Sequence, residues 1–426
     1  MMIRIEANRL IPGRGDPIDD GVVLLDGDTV AYAGPRADAP VGPGGGPARG
    51  PTVGPTGGDD GTEVVQVDTV MPGMWDCHVH LFGTHSASPS YVFAEPIAVR
   101  AARATADLAA ALRAGFTSVR EAGGLGIHLA AAVAEGSVPG PRVYAAGAAL
   151  SVTGGHTDLH ALPPAWVRDL SRWEPSIRVC DGVTGVVEAV REQLRAGAEV
   201  IKICASGGVI SERNDPQHQQ FTRAELEAIV EVAAMADRSV MAHCHGTAAM
   251  LAAVEAGVRT IEHGSYIDDE VAAAMRERGT LLVPTRLIGC EFLEHAGSLS
   301  PEMAAKMLAV YEDSGERIAR AAASGVRIAM GTDVLLSGPD LPAGWGNNGR
   351  ELPLLVELGL TPLQAIEAAT ATAPDTLGPR APRSGQLLAG YDADVIAVHG
   401  DPTRDVGVLA DPAAVTHVWQ AGRLVG

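Results

Sequence analysis

The sequence predicts an α/β protein with a (β/α)8 barrel of the TIM type and a small β-sandwich domain built from both chain ends. Two patterns lead to this prediction. In the middle of the chain, helix-like runs alternate with short apolar runs about eight times, whereas both ends contain only short β-like runs. A length of 426 residues and a hydrophobic fraction of 46% are enough to bury one large core and a smaller one.

Residues 70–384 are predicted to form the barrel because one unit repeats through them. A helix-patterned run ends at a glycine and a β-rich run follows, as in "RAGAEVIKI" and "EAGVRTIEH". Glycine suits the left-handed C-cap of a helix, and helices that alternate with buried strands are typical of parallel βαβ units. A doubly wound open sheet is the alternative architecture. The junction glycines are Gly115, Gly197, Gly257, Gly279 and Gly325.

Residues 1–69 and 385–426 are predicted to form the small β-sandwich domain. Both segments contain short β-like runs, such as "GVVLLDGDTVAYAG" near the start and "VTHVWQAGRLVG" at the end. Between 37 and 62 the chain is rich in glycine and proline and has no apolar periodicity. That composition predicts a mobile loop within the domain.

The composition disfavours several classes of protein. A net charge of −20 argues against binding to nucleic acid or to an anionic membrane surface. No apolar run reaches the roughly 20 residues that a membrane-spanning helix needs, and the N-terminus has no signal-peptide pattern. Five scattered cysteines without CxxC spacing indicate neither a disulfide framework nor a thiolate zinc site. These features predict a cytoplasmic protein that binds neither nucleic acid nor membranes.

Six polar residues lie at the predicted ends of barrel strands, where the catalytic side chains of such barrels project. The histidines of "DCHVH" are spaced i and i+2, so both face the same side of an extended strand. One such residue alone is more often structural, but six at one rim indicate a metal centre. Nitrogen and oxygen ligands suit zinc, manganese, iron or nickel, with zinc the leading expectation. The residues are His78 and His80 (first strand), Lys202 (fourth), His243 (fifth), His263 (sixth) and Asp333 (eighth).

Lys202 stands in the apolar run "EVIKICASGG" of a chain that has one other lysine, Lys306, against thirty arginines. An ammonium beside divalent cations is repelled, and its burial is costly. Burial also lowers the pKa of a lysine, which makes a neutral amine available to capture carbon dioxide as a carbamate. Arginine stays protonated and cannot do this. We expect a carboxylated Lys202 (N6-carboxylysine) that bridges two metal ions; an ordinary salt-bridged lysine is the alternative.

An ordered set of motifs resembles the amidohydrolase superfamily. The set includes "MPGMWDCHVHL", "SVTGGHTD", "VIKICASGGVISERNDPQHQQF", "MAHCHG", "IEHGSYID" and "MGTDV". Within the superfamily, the chain is similar to the branch of Xaa-Pro dipeptidases (prolidases), Xaa-Arg carboxypeptidase-like enzymes, ochratoxinase-like hydrolases and imidazolonepropionase-like proteins. The resemblance covers almost the whole chain outside the segment 37–62.

The resemblance implies a site with two metal ions. A hydroxide that bridges the metals would attack the scissile carbonyl, and Asp333 would act as general acid and base. The resemblance implies that one ion is bound by His78, His80 and Asp333 and the other by His243 and His263. Carboxylated Lys202 is implied to bridge the two ions.

Three further residues are candidates for catalysis or substrate binding. His156 in "TGGHTD" follows the third strand, and the resemblance implies that it contacts the substrate; a structural loop histidine is the alternative. His245 lies where some relatives carry a tyrosine that polarises the substrate carbonyl, and the resemblance implies that the imidazole donates the same hydrogen bond. The alternative is that His245 supports the metal ligands without contacting the substrate. Arg213, in the loop after Lys202, is a candidate for binding a substrate carboxylate, or an ordinary exposed arginine.

The expected reaction is hydrolysis of the amide bond of a dipeptide or an N-acyl amino acid, with two divalent metal ions and carbon dioxide as cofactors. A mycotoxin-type amidase and a cyclic-amide hydrolase are alternatives, although the latter would need no bridging lysine. A deaminase is disfavoured because no carboxylate closely follows "MAHCHG". A barrel that serves only as an assembly partner is disfavoured because all six ligand positions are present. Relatives often assemble, so a homo-oligomer is expected.

Overall fold

The computed structural model describes residues 2–40, 56–57, 63–86, 88, 94–211, 213–295 and 299–425. Over these residues the chain is a mixed α/β protein whose strands form three hydrogen-bonded sheets. The predicted loop at 37–62 lies largely outside the described residues. Near and within it, the structure describes the 3-10 turn Arg36–Asp38 and the strand Thr56–Gly57.

One sheet contains strands from both ends of the chain. Strand β1 (Met2–Leu10) pairs antiparallel with β2 (Ile18–Asp26) and parallel with β5 (Glu63–Pro72). From the other chain end, β16 (Val395–Val398) pairs antiparallel with β5, and Trp419 packs into the same apolar core. That this sheet is a separate two-layer sandwich domain stays a prediction. The remaining strands are β3 (Thr29–Pro35), β4 (Thr56–Gly57), β17 (Val415–Gln420) and β18 (Arg423–Leu424).

The other two sheets are parallel and carry the predicted site residues. Their strands are nearly continuous buried apolar runs, which is typical of strands covered on both faces. The first has the order β15 (Val334–Leu336), β6 (Met74–Thr84), β7 (Phe116–Glu121), β8 (Arg142–Ala145). The second has the order β10 (Ile177–Val179), β9 (Ala149–Ser151), β11 (Val200–Cys204), β12 (Ser239–Cys244), β13 (Thr260–His263), β14 (Leu281–Val283).

Hydrogen bonds join the two parallel sheets at both edges. On one side, the main-chain oxygen of Ala145, at the end of β8, accepts from the amide of Glu199 just before β11 at 2.8 Å. On the other side, Ile328 forms a parallel β-bridge with Leu282 of β14. The amide of Cys77 in β6 donates to the main-chain oxygen of Met330 at 2.9 Å. The strand ends of both sheets therefore converge on one region.

The helices follow the strands, and each presents apolar residues to the core. Helix α4, for example, buries Val186, Ala189 and Val190. The α-helices are α1 (Ile97–Arg113), α2 (Gly126–Ala134), α3 (Pro164–Leu170), α4 (Gly182–Ala196), α5 (Arg223–Ala234), α6 (Thr247–Ala256), α7 (Asp269–Arg278), α8 (Arg286–Glu294), α9 (Pro301–Tyr311), α10 (Ser314–Ala323), α11 (Glu351–Glu357) and α12 (Pro362–Ala369).

Glycine ends the helices at the predicted junctions. Gly197, Gly257 and Gly279 are the C-caps of α4, α6 and α7, with φ of 106°, 98° and 69°. Gly115 and Gly325 also have positive φ. A side chain would be strained in this left-handed region, so the glycine signal is confirmed. Over the part of the chain that is described, no helix combines the length and apolar character needed to cross a bilayer.

Candidate active site

The six predicted strand-end residues meet at one cavity of about 530 Å³. Strand β6 supplies two of them, and β11, β12 and β13 each supply one. The sixth comes from the turn that immediately precedes β15. The side chains that the structure brings together are His78, His80, Lys202, His243, His263 and Asp333.

Two of these positions differ in detail from a simple strand end. His80 lies inside β6, which continues to Thr84, because the outer part of β6 pairs with β15. Asp333 precedes β15, and the run before it pairs with β14 only through the bridge at Ile328. The side chains reach the same cavity nevertheless.

The first histidine group consists of His78, His80 and Asp333. One ligand atom from each lies within 4.8 Å of the others. Asp333 Oδ1 is 3.2 Å from His80 Nε2 and 3.5 Å from His78 Nε2. Although burial alone raises the pKa of Asp333, the neighbouring charges of His78, His80 and Lys202 lower it to about 2. The carboxylate is therefore ionised at neutral pH.

Buried charges hold the first group from behind. Glu262 accepts a hydrogen bond from Nδ1 of His78 at 2.7 Å and two from Arg120 at 2.9 and 3.0 Å. The side chains of Glu262 and Arg120 are both 0% exposed. Burial would raise the pKa of Glu262, but Arg120 and His78 lower it to about 2. The charged acceptor fixes the proton of His78 on Nδ1 and leaves Nε2 for a ligand.

Asp76 ties the two chain segments of the first group together. Its Oδ1 accepts from the amides of His78 and Thr332 at 3.1 and 3.0 Å. Its Oδ2 accepts from the Thr332 hydroxyl at 2.6 Å and from Asn348 at 2.8 Å. The amide of Asp333 also donates to the main-chain oxygen of His78 at 2.7 Å. Asp333 is thereby fixed against β6.

The second histidine group consists of His243, His245 and His263, whose ligand atoms also lie within 4.8 Å of one another. Their supporting partners are neutral. His243 Nε2 donates to the main-chain oxygen of Gly207 at 3.0 Å. His245 Nδ1 contacts the hydroxyl of Ser265 at 2.9 Å, and His263 Nδ1 contacts that of Thr285 at 2.7 Å.

Lys202 is buried between these residues. Its Nζ is 3.3 Å from His78 Nε2, and its side chain is 3% exposed. Burial lowers the pKa of the amine from its usual value. Its charge also lowers the pKa of His78 in the first group and of His243 and His263 in the second, in each case adding to the larger effect of burial. Lys202 therefore contacts the first group and lines the same cavity as the second.

Two site residues have left-handed backbone conformations. His263, the last residue of β13, has φ of 68°. Asp333, which immediately precedes β15, has φ of 62°. Residues other than glycine seldom adopt this region, and each instance costs roughly 1–3 kcal/mol. Such strain is concentrated at functional sites, where the surrounding structure imposes it.

His156 reaches the cavity, whereas Arg213 does not line it. The ring of His156 stacks on His243 with centroids 4.2 Å apart, and its Nδ1 contacts Ser211 Oγ at 3.1 Å. A Cβ at Gly208 would come within 2.1 Å of that ring, so glycine makes room for it. The side chain of Arg213 is exposed, while its amide donates to His160 Nδ1 at 3.2 Å. The role of Arg213 stays a prediction.

The supporting residues were not predicted from the sequence. For two of them adjacency was an available signal, because Glu262 directly precedes His263 and Asp76 closely precedes His78. Ser265 likewise lies two residues after His263, whereas Thr285 gave no comparable signal. Their contacts depend on how the loops after β13 and β14 return to the site.

The donor set fits divalent cations. Each of the five imidazoles in the two groups uses one ring nitrogen for a contact with a supporting residue. One of these contacts runs from His80 Nδ1 to the main-chain oxygen of Gly123 at 2.9 Å. The second nitrogens of His78 and His80 face Asp333 inside the site. Oriented imidazoles beside an ionised aspartate are ligands that zinc and similar metals prefer. Parallel strands that deliver such groups to one cavity define an α/β protein with a candidate metal centre.

Comparison with known proteins gives the family. Residues 69–425 match the amidohydrolase family. The ochratoxinase of Aspergillus niger is 40% identical over 435 aligned residues, which cover 99% of this chain and 86% of the relative. Its crystal structure has a TM-score of 0.89 at 38% identity, covering 99% of this chain and 95% of the other. The crystal structure of a prolidase complexed with N-methylphosphonate-L-proline has a TM-score of 0.86 at 34% identity, covering 100% and 99%.

A third similar structure is that of a Xaa-Pro dipeptidase with bound methionine, with a TM-score of 0.82 at 29% identity and complete coverage of both chains. The chain belongs to the amidohydrolase family and is an enzyme that hydrolyses amide bonds. Members of this family generally bind divalent metals, in agreement with the donor set described above.

Proposed function

We propose that the chain is a metal-dependent hydrolase that cleaves the amide bond of a dipeptide or an N-acyl amino acid. The observation that carries the proposal is the place of Lys202, a buried amine that faces two groups of histidines at one cavity. The similar structures of a prolidase and a Xaa-Pro dipeptidase support a substrate of dipeptide size.

Lys202 is proposed to be carboxylated by carbon dioxide and to be shared by two divalent cations, most suitably zinc. A buried amine with a lowered pKa is an available nucleophile, and its carbamate would supply negative charge where an ammonium is disfavoured. When bound, the two cations would lower the pKa of water and polarise the scissile carbonyl. The proposed ligands of one cation are His78, His80 and Asp333. Those of the other are His243 and His263, and carboxylated Lys202 would be shared by both.

Four further roles in catalysis and substrate binding are proposed for side chains in or near the cavity. Asp333, ionised at neutral pH, would accept the proton of the attacking water and pass it to the leaving amine. His245, held through Nδ1 by Ser265, keeps Nε2 for the substrate carbonyl. His156 is proposed to contact the substrate from its stacked position on His243. Arg213 is a candidate for a substrate carboxylate, from a loop that also lines the cavity.

The cavity wall favours a substrate with a bulky apolar group. Side chains from β6, α8, α9 and β15, and from residue 299 just before α9, form an apolar surface next to the histidines. This surface, together with the similarity to an ochratoxinase, supports a mycotoxin-type amidase as the second candidate. A cyclic-amide hydrolase is disfavoured because it would not need Lys202. The apolar side chains are Phe82, Ile288, Phe292, Leu299, Met303, Met307 and Leu335.

We also propose the architecture in which this site works. The two parallel sheets, joined at both edges, would form a single (β/α)8 barrel over residues 70–384. The mixed sheet from residues 1–69 and 385–426 would form the small β-sandwich domain. A homo-oligomer is proposed on the resemblance alone, and sedimentation of the purified protein tests it.

The deciding experiment reconstitutes the purified chain with zinc and bicarbonate and screens dipeptides and N-acyl amino acids. We expect about two metal ions per chain by mass spectrometry and release of a free amino acid. Lys202→Ala should lose both the metal and the activity, because carboxylated Lys202 is the ligand that both cations are proposed to share.

Arg320→Met serves as a control, because Arg320 is an exposed residue of α10 that pairs with Glu316. This variant should retain the metal and the activity. Full activity and full metal content in Lys202→Ala would show that the carbamate proposal is wrong. About one metal per chain in the parent would favour the cyclic-amide alternative.

A further inference from the structure

Lys306, the second of the two lysines, lies at the same cavity as the first. It belongs to α9, and its Nζ donates to the main-chain oxygens of Ser211 at 2.8 Å and Asn214 at 2.9 Å. Glu302, one helical turn earlier, lies 3.6 Å from the ammonium. The Lys306 side chain is only 19% exposed, so its hydrogen bonds to the two main-chain oxygens are partly shielded from water, whereas Glu302 is 66% exposed.

The two main-chain oxygens that accept from Lys306 belong to the loop that follows β11, residues 205–215, which is described except for residue 212. This β11 loop lines the cavity with Val209, Ile210 and Ser211. The Ser211 hydroxyl also contacts His156 Nδ1 at 3.1 Å. The loop is further fixed by Asn214, whose Oδ1 accepts from the amide of Gly208 at 2.9 Å and from Ser211 Oγ.

The β11 loop also supports the second histidine group, because the main-chain oxygen of Gly207 accepts from His243. Helix α9 contributes Met303 and Met307 to the apolar wall of the same cavity. The ammonium of Lys306 therefore connects two separate segments of the cavity wall. One carries the polar contacts around His156, and the other carries apolar side chains.

We propose that Lys306 is a positioning residue for substrate binding, which holds the β11 loop against α9 and so fixes His156 and the adjacent wall. The proposal deepens the proposed function, since it assumes that the substrate binds in this cavity. A compact ammonium has three donors and can serve two carbonyl oxygens and a nearby carboxylate together. The longer planar guanidinium of arginine matches that arrangement less well.

Lys306→Met tests the proposal by kinetics on the best substrate of the screen. We expect KM to rise roughly tenfold, because charge-assisted hydrogen bonds that order the wall are lost. The value of kcat should change by less than about twofold, and metal content should stay at the parental level. Lys306→Arg keeps the charge and should bring KM back to within roughly threefold of the parent. Arg320→Met removes an exposed cation from a comparable i,i+4 pair and should change neither constant.

Hydrogen–deuterium exchange gives a readout that does not depend on activity. Peptides covering 205–221 should exchange faster in Lys306→Met than in the parent, while Arg320→Met leaves them unchanged. Unchanged exchange in these peptides would overturn the proposal, whatever substrate the enzyme uses. Loss of metal together with equal losses in kcat and kcat/KM would also overturn it, because Lys306 would then act on the metal centre. If the parent cleaves no amide while exchange rises as expected, the proposed function fails and the role of Lys306 in ordering the loop stands.

Discussion

The two histidine groups of the cavity are similar in composition but are supported in different ways. Behind His78 of the first group lie ionised side chains, with Glu262 placed between His78 and Arg120, whereas His80 contacts the main-chain oxygen of Gly123. Behind the second lie a main-chain oxygen and two hydroxyls, from Gly207, Ser265 and Thr285. One half of the site therefore depends on buried charges and the other on neutral dipoles.

This difference has an energetic consequence. A buried ion pair contributes little net stability when complete, but removal of one partner leaves an uncompensated charge and costs roughly 3–5 kcal/mol. Loss of one neutral hydrogen bond costs only about 1 kcal/mol. The first group should therefore be fixed and sensitive to substitution, and the second should tolerate the loss of a partner.

Glu262→Gln should produce the largest effect of the three substitutions considered next. The amide cannot balance the charge of Arg120 or hold the Nδ1 proton of His78 as strongly, so the apparent metal affinity should fall roughly 10- to 100-fold. The free energy of unfolding should fall by about 3 kcal/mol. Metal titration and urea denaturation measure the two effects. A parental metal affinity would refute the role assigned to the buried charges.

Thr285→Val is the matched substitution behind the second group. Valine has the shape of threonine and the same branching at Cβ, so only the hydrogen bond to His263 Nδ1 is removed. We expect metal affinity to fall by less than about tenfold and stability by about 1 kcal/mol. The same titration and denaturation apply. If Thr285→Val costs as much as Glu262→Gln, the contrast between the two halves disappears.

The sequence predicted that these six residues would lie close together, because each one lies in or beside a short apolar run that is followed by a turn signal, and the structure places all six at one cavity. The glycine junctions were predicted for a similarly local reason, since the left-handed cap depends on one residue. The charged support was not predictable in this way. Arg120 lies on β7 and Glu262 on β13, in different sheets, so their contact depends on how the two sheets meet.

The smallest of the three effects on metal affinity concerns a second buried glutamate near the first group. Glu121 ends β7 and is 0% exposed, and burial raises its pKa to about 8. Its Oε1 accepts from the amide of Gly126 at 3.3 Å, and its Oε2 has no hydrogen-bond partner among the described residues. A Cβ at Gly124 would come within 2.7 Å of the carboxyl group. This carboxyl fills the turn that also contains Gly123, the acceptor for His80 Nδ1.

Glu262 and Glu121 are thus two buried glutamates that differ in charge. The pKa of Glu121 is about 8 in the folded chain against 4.5 ordinarily, so the folded state holds this proton more tightly than the unfolded state. Its contribution to stability is therefore fully present below about pH 4.5 and is lost as pH rises towards 8. Glu121→Gln stays neutral at every pH and keeps an acceptor for Gly126.

For the metal-free chain, the melting temperature of Glu121→Gln relative to the parent should therefore rise between pH 5 and pH 9, by a few degrees. Metal affinity should stay within about threefold of the parent, because no histidine loses its own partner. Thermal denaturation of both proteins at pH 5, 7 and 9 measures the difference. A difference that does not change with pH would mean that Glu121 is ionised in the folded chain. Both buried glutamates of the first group would then be charged, and the contrast with the second group would be larger than the structure indicates.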